Sequence, residues 1–207
     1  MGHPIGQALR AAADGCFPPC DGEVDVVAPY LPGIEAVVAF TGHAMVATDL
    51  PAAPLTAAGA DGFGGATSPR VALLLAGADG EIDTLDVLLV ARGTGRTGLA
   101  ERQDDGDHPR VQHARKWRSD VHVHGDDRGL VTIGRGVGGL PELSLQVRSG
   151  RRGRGLGRSL LRDALGLVPD GEPVLAAAAP GNAASLRSLL GAGFVPLGSV
   201  QLIRPAR

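Results

Sequence analysis

The chain has 207 residues, 43% hydrophobic and 20% charged, with a formal net charge of −2, ordinary values for a soluble globular protein with a buried core. No apolar run approaches the ~20 residues needed to span a bilayer, and Met1–Gly6 has neither the basic start nor the apolar segment of a secretory signal. The expectation is a cytoplasmic protein without a membrane partner.

The small net charge conceals an asymmetry. Residues 1–107 carry 5 basic and 15 acidic side chains, and residues 108–207 carry 15 basic and 7 acidic ones. The halves either serve different partners or attract each other, and the basic half suits a polyanionic ligand. Aromatic residues make up only 3%, so the core must be built from Ala, Val and Leu. Lys116 is the only lysine among 32 glycines and abundant alanine, a composition expected of a GC-rich bacterial genome.

Cys16 and Cys20 flank Phe17-Pro18-Pro19, with no further thiol or imidazole ligand close in sequence. They read as free thiols, and no metal is expected. Val24–Val27 is a short strand. Glu35–Phe40 and Ala44–Thr48 are apolar runs around Thr41-Gly42-His43, a tight hairpin. Residues 50–69 are rich in Pro, Gly, Ala and Asp and read as a loop. Val71–Leu75 and Leu85–Val90 are two more apolar runs of strand type. Residues 95–107 are polar and acidic, which places a domain boundary at 107/108.

The second half begins with a short basic helix, His108–Arg118. Asp120–His124, Gly129–Ile133 and Glu142–Val147 follow as three strands, an antiparallel meander. After the glycine-rich turn 150–157 comes an amphipathic helix with Leu156, Leu160, Leu161, Leu165 and Val168 on one face. Pro173–Ala178 is a buried strand. Asn182 caps a helix running to Leu190, and Phe194–Leu197 and Val200–Ile203 close the chain as strands around Gly198.

Gly93-x-Gly95-x-x-Gly98 and Gly134-x-Gly136-x-x-Gly139 match the dinucleotide fingerprint, but neither opens a helix, so both read as turns. Arg152-Gly153-Arg154-Gly155-Leu156-Gly157 differs, because it joins a strand to the strongest helix. Unpaired amides and the helix dipole at such a terminus bind phosphate. Glycine lets backbone approach the anion, and Arg151, Arg152, Arg154 and Arg158 add charge.

This segment, preceded by Val147 and followed by Pro180-x-Asn182-x-x-Ser185 and Gly193-Phe194, resembles the paired cofactor segments of the GNAT N-acetyltransferase superfamily. The resemblance covers about half the chain, residues 108–207. It implies an α/β fold with a central mixed sheet and flanking helices, next to a strand-rich N-terminal region of unknown fold. That region, residues 1–107, is expected to grip substrate, form a degenerate second copy or support a dimer.

The resemblance further implies acyl transfer from acetyl-CoA, as co-substrate, to a small-molecule or peptide primary amine. Strand Glu142–Val147 would splay from Pro173–Ala178 and hold the pantetheine arm on backbone near Leu145 and Val147. Arg152, Gly153, Arg154, Gly155, Leu156, Gly157 and Arg158 would cradle the pyrophosphate, with Asn182 on the pantetheine side. Glu142 is the candidate proton acceptor. Where relatives often place a tyrosine as acid toward the thiolate stands Leu189. The rival reading is a module that binds acyl-CoA without turnover. His122 and His124 read as a solvated strand face rather than a metal pair. Trp117 reads as a core anchor rather than a stacking platform, so a nucleic-acid partner is disfavoured.

Overall fold

The structure, a computed structural model, describes residues 2–96, 98–103, 106–150 and 155–207. The chain forms two compact units, residues 1–88 with 137–139 and 197–207, and residues 89–136 with 140–196. The expected division at 107/108 falls inside the second unit.

In the first unit, β1 (Val24–Val27) pairs in parallel with β3 (His43–Ala47), and β2 (Glu35–Phe40) pairs antiparallel with β3 through the Thr41-Gly42 turn. Gly42 has φ +71, a conformation that L side chains rarely adopt. The last strand, β10 (Val195–Arg204), enters this unit at Leu197, pairs antiparallel with β2 and carries the two-residue β4 (Glu81–Ile82). The two closing strands expected around Gly198 are therefore one. A Cβ at Gly198 would lie 2.1 Å from the Ala39 carbonyl oxygen, so glycine here permits a close backbone approach within a continuous strand.

This unit also holds three helices, two of them where the sequence suggested a loop and a strand. α1 (Pro4–Ala13) buries Ile5, Leu9 and Ala12, and His3 Nδ1 accepts from Ile5 N–H at its start. α2 (Ala52–Ala57) lies in the expected loop. α3 (Pro69–Ala76) replaces the expected strand Val71–Leu75. A short apolar run cannot by itself distinguish strand from helix. Here Ser68 Oγ accepts from Val71 N–H and Pro69 occupies the first helical turn, two signals that favour the helix. Val71 and Leu75 then pack with Val37, Val46, Leu55 and Ile203 in one core cluster.

His43 opens β3 and is 5% exposed. Its Nδ1 lies 2.9 Å from Asp21 Oδ1 and its Nε2 3.4 Å from Asp25 Oδ2, the latter residue in β1. Burial disfavours the imidazolium, but the two carboxylates outweigh it and raise His43 above its ordinary 6.5. The hydrogen bond from His43 holds Asp21 below its ordinary 3.8. The raised His43 contribution is complete below the unfolded pKa and is lost as pH rises through the native one. At the acid end, the Asp21 contribution is lost as pH falls through its lowered value. The gap in melting temperature between the parent and His43→Gln should therefore be widest near about pH 6 and narrow by about pH 9. An equal gap at both values would show that the ring is not charged in the fold.

The second unit has the strand order β5-β9-β8-β7-β6. β5 (Asp86–Arg92) passes from one unit into the other between Leu88 and Leu89. β6 (Ser119–Asp126), β7 (Gly129–Arg135) and β8 (Pro141–Val147) form the expected antiparallel meander, and β9 (Pro173–Ala178) runs parallel to β8. This is a mixed sheet with flanking helices, α4 (Pro109–Trp117), α5 (Leu156–Ala164) and α6 (Ala183–Gly191). α5 ends four residues before Val168, and Leu165–Leu167 continues it as a 3₁₀ turn. Trp117 is 2% exposed, the core anchor expected of it.

Successive residues of a strand face opposite sides. Leu130 packs with Val111 of α4 and stands opposite Gln146, whereas a Cβ at Gly157 in α5 would touch the Val147 side chain at 3.4 Å. Helices α4 and α5 therefore cover opposite faces of β8. Leu143, Leu145 and Val147 face α5. Glu142, Ser144 and Gln146 face α4.

Candidate functional site

Along β7, strand β8 is paired from Pro141 to Val147. Along β9 its register has a single pair, Glu142↔Leu175. Beyond that pair the ladder between the two parallel strands does not continue, and the β9-facing backbone groups from Leu143 to Val147 have no ladder partner there. Backbone amides and carbonyls need such partners. An extended ligand arm entering the gap would supply them to Leu145 and Val147.

The gap opens toward the start of α5. Gly155, the N-cap, has φ +74 and no atom within 4 Å of an added Cβ. Among the described residues no side chain caps this terminus, so the first amides of α5, including Leu156 and Gly157, remain available to an anion. Arg152, Gly153 and Arg154 lie outside the described residues. Gly157 sits tightly between α6 and β8, since a Cβ there would lie 3.3 Å from Ser188 Oγ. Arg158 is exposed, and its Cδ would stand 2.9 Å from a Cβ at Gly191, so its stem runs along α6. Asn182 Oδ1 accepts from Ser185 N–H at 3.1 Å, which commits that oxygen to the cap and leaves the amide NH₂ as a donor.

Glu142 stands at the one β8–β9 pair, on the α4 face and 3% exposed. Arg118 Nη2 donates to its Oε1 at 2.5 Å, and Arg118 Nη1 donates to Ser144 Oγ at 3.4 Å. Ser144 Oγ shares a hydrogen bond of 2.7 Å with Thr132 Oγ1. A Cβ at Gly136 would fall 2.0 Å from Glu142 Oε2, so that glycine makes room for the carboxylate. The second fingerprint-like glycine run is thus a packing device. Arg118 was not singled out from the sequence as a site residue. Nothing local could reveal it, because its partner lies two strands away.

Leu189 is 3% exposed and faces the core, so this position offers no acid. His122 Nδ1 pairs with Glu101 Oε1 at 2.9 Å, both well exposed, in keeping with a solvated face. No group of three or more His, Cys, Asp or Glu among the described residues is placed to hold a metal. Cys16 and Cys20 are free and exposed. No helix among the described residues is long and apolar enough to cross a membrane.

No protein-family model matches the chain, and no curated protein does. Solved structures similar to part of it include GNAT-family acetyltransferases. An acetyltransferase from the GNAT family of Colwellia psychrerythraea is 10% identical with a TM-score of 0.41, covering 61% of this chain and 57% of that one. A putative acetyltransferase of the GNAT family from Novosphingobium aromaticivorans is 17% identical with a TM-score of 0.43, covering 64% of this chain and 70% of that one. A GCN5-related N-acetyltransferase from Kribbella flavida is 13% identical with a TM-score of 0.32, covering 62% of this chain and 61% of its own. The chain thus spans less than two-thirds of the Colwellia and Kribbella proteins. The likeness is partial, and the functional reading stands on the site itself.

Proposed function

We propose that this protein is an acyl-CoA-dependent N-acyltransferase, most simply one that moves an acetyl group from acetyl-CoA to a primary amine. The observation that carries the reading is the end of the β8–β9 ladder after Glu142↔Leu175, beside a helix terminus opened by Gly155. The gap offers backbone partners to a pantetheine arm at Leu145 and Val147. The amides of Gly155, Leu156 and Gly157, with the Arg152–Arg154 segment and Arg158, would take the pyrophosphate. The NH₂ of Asn182 would reach the arm from α6.

The reaction needs no covalent enzyme intermediate. The amine nitrogen bonds to the thioester carbon, the C–S bond breaks, the ammonium loses its proton and the thiolate leaves. A backbone N–H of β8 would stabilise the oxyanion, and the site's main task is orientation. Glu142 serves as proton acceptor in this reading. Its bond to Arg118 and its burial mean that it would act through an intervening water.

Glu142→Gln should leave acetyl-CoA affinity nearly unchanged and reduce turnover by on the order of a hundredfold, most at low pH where free amine is scarce. Turnover is read as free CoA thiol with a reactive amine. Equal rates for variant and parent from about pH 6 to 9 would remove Glu142 from the mechanism.

The buried Leu189 favours a second reading, a module that binds acyl-CoA without turning it over. A melting-temperature series with CoA, acetyl-CoA and longer acyl-CoAs tests binding, because ligand at a hundred times its dissociation constant adds about 2.7 kcal/mol. A shift with no thiol release selects the second reading. No shift with any of them excludes both.

A further inference from the structure

On the α4 side of the second unit, at the Val147 end of β8, lies a cavity of about 450 Å³, large enough for a small organic ligand. Its polar lining includes Arg102, His108, Asp126, Gln146, Arg148 and Ser149. We propose that this cavity is an oxyanion site that takes a phosphate or carboxylate group on Arg102, Arg148 and His108.

Three observations point there. The first concerns the one acidic member. Asp126 is already held by Arg128, whose Nε lies 3.1 Å from Oδ1 and 2.9 Å from Oδ2. Arg128 in turn reaches Asp163 at 2.6 Å. One guanidinium is thus shared by two carboxylates, and Arg102 beside Asp126 with Arg148 on the rim brings the count to three cations against two anions, which leaves the cavity net positive.

The second is His108. Its Nδ1 accepts from Arg110 N–H at 3.1 Å, capping α4, which fixes the neutral tautomer with hydrogen on Nε2. The ring thus turns an Nε2–H donor toward the cavity. The third is Arg148, which follows β8 directly, is exposed and makes no ion pair among the described residues. Arg102 lies near enough to Asp126 to favour its ionised form and brings a second guanidinium to the rim. Ser149 and Gln146 complete a set dominated by donors, and guanidinium pairs are suited to planar or tetrahedral oxyanions.

The anion has two sources that the experiment separates, a separate small ligand or the 3′-phosphate of coenzyme A. The first arm measures the melting shift of the full chain with inorganic phosphate at constant ionic strength, without coenzyme. The second compares calorimetric affinities for CoA and 3′-dephospho-CoA. Both are repeated in Arg102→Ala/Arg148→Ala and in Arg148→Glu, exposed positions whose replacement should leave the fold intact. The expected result is a loss of about tenfold or more in affinity for the anion.

Loss of the phosphate shift, with equal affinity for the two coenzymes, assigns the site to a separate ligand. Loss of a preference for CoA over 3′-dephospho-CoA assigns it to the coenzyme. If phosphate shift and coenzyme preference are the same in parent and variants, the proposal is overturned. The phosphate arm needs no coenzyme, so its outcome is distinct from any failure of the acyltransferase reading.

Discussion

Arg118→Met should lower the unfolding free energy by about 3–5 kcal/mol. The substitution removes the guanidinium and leaves Glu142, 3% exposed, inside the sheet–helix layer without its cation. A buried carboxylate that loses its guanidinium keeps the cost of desolvation and forfeits the main charge that offset it. Ser144 Oγ also loses a donor, although Thr132 Oγ1 remains at 2.7 Å. The double variant Arg118→Met/Glu142→Leu should recover most of the loss, since two apolar side chains of similar size remove the charge problem from both ends. Urea unfolding of the parent, single and double variants provides the measurement. A loss under about 1 kcal/mol in the single variant would mean that the pair is hydrated and that Glu142 reaches solvent freely.

Gly155→Asp should weaken coenzyme binding by at least about a hundredfold, or ~2.7 kcal/mol. Two effects add here, and Gly155→Ala separates them. At φ +74 any L side chain is strained, by roughly 1–2 kcal/mol, while the space around a new Cβ is open. Alanine should therefore reduce stability and leave most of the affinity. Aspartate adds a negative charge at the terminus where amides and dipole would meet the pyrophosphate, and it competes for those same N–H groups. Titration calorimetry at fixed salt reads the affinity, and a melting curve reads the strain. Unchanged CoA affinity in Gly155→Asp would end the case for a cofactor cradle at α5.

The parts of the fold visible in the sequence were those with redundant local signals. Val24–Val27, Glu35–Phe40 and Pro173–Ala178 are strands with the expected limits, each an apolar or β-branched run closed by turn residues. The long apolar face of α5 was equally plain. Helices α1 and α3 were not, because Gly6 interrupts the first and the second is too short for its period to show. In α3 the deciding information was at the edge, in Ser68 and Pro69, rather than in the Val-Ala-Leu-Leu-Leu run itself.

The site divides in the same way. The turn into α5 and the cap at Asn182 are local, and both were readable. The face on which Glu142 lies depends on the β7–β8 register, and its partner on where α4 ends against that sheet. Arg118 and Glu142 are thus joined by tertiary structure alone. The cavity with Arg102, His108 and Arg148 has the same character, collecting a loop, a helix cap and a strand end. No motif spans them.

The placement of β10 has a consequence for how the chain acquires its structure during synthesis. β2, Glu-Ala-Val-Val-Ala-Phe, is almost wholly buried, and one of its edges pairs with β10. The ribosome finishes β2 at Phe40 but does not reach Leu197, where β10 enters the first unit, until the second unit has been synthesised. At about 5–20 residues per second the nascent chain carries an open β2 edge for roughly ten seconds or more. An apolar strand with an unpaired edge is a template for other chains. Yield in the cell is then governed by how long that edge waits for its partner, and slow translation between Leu89 and Pro196 lengthens the wait.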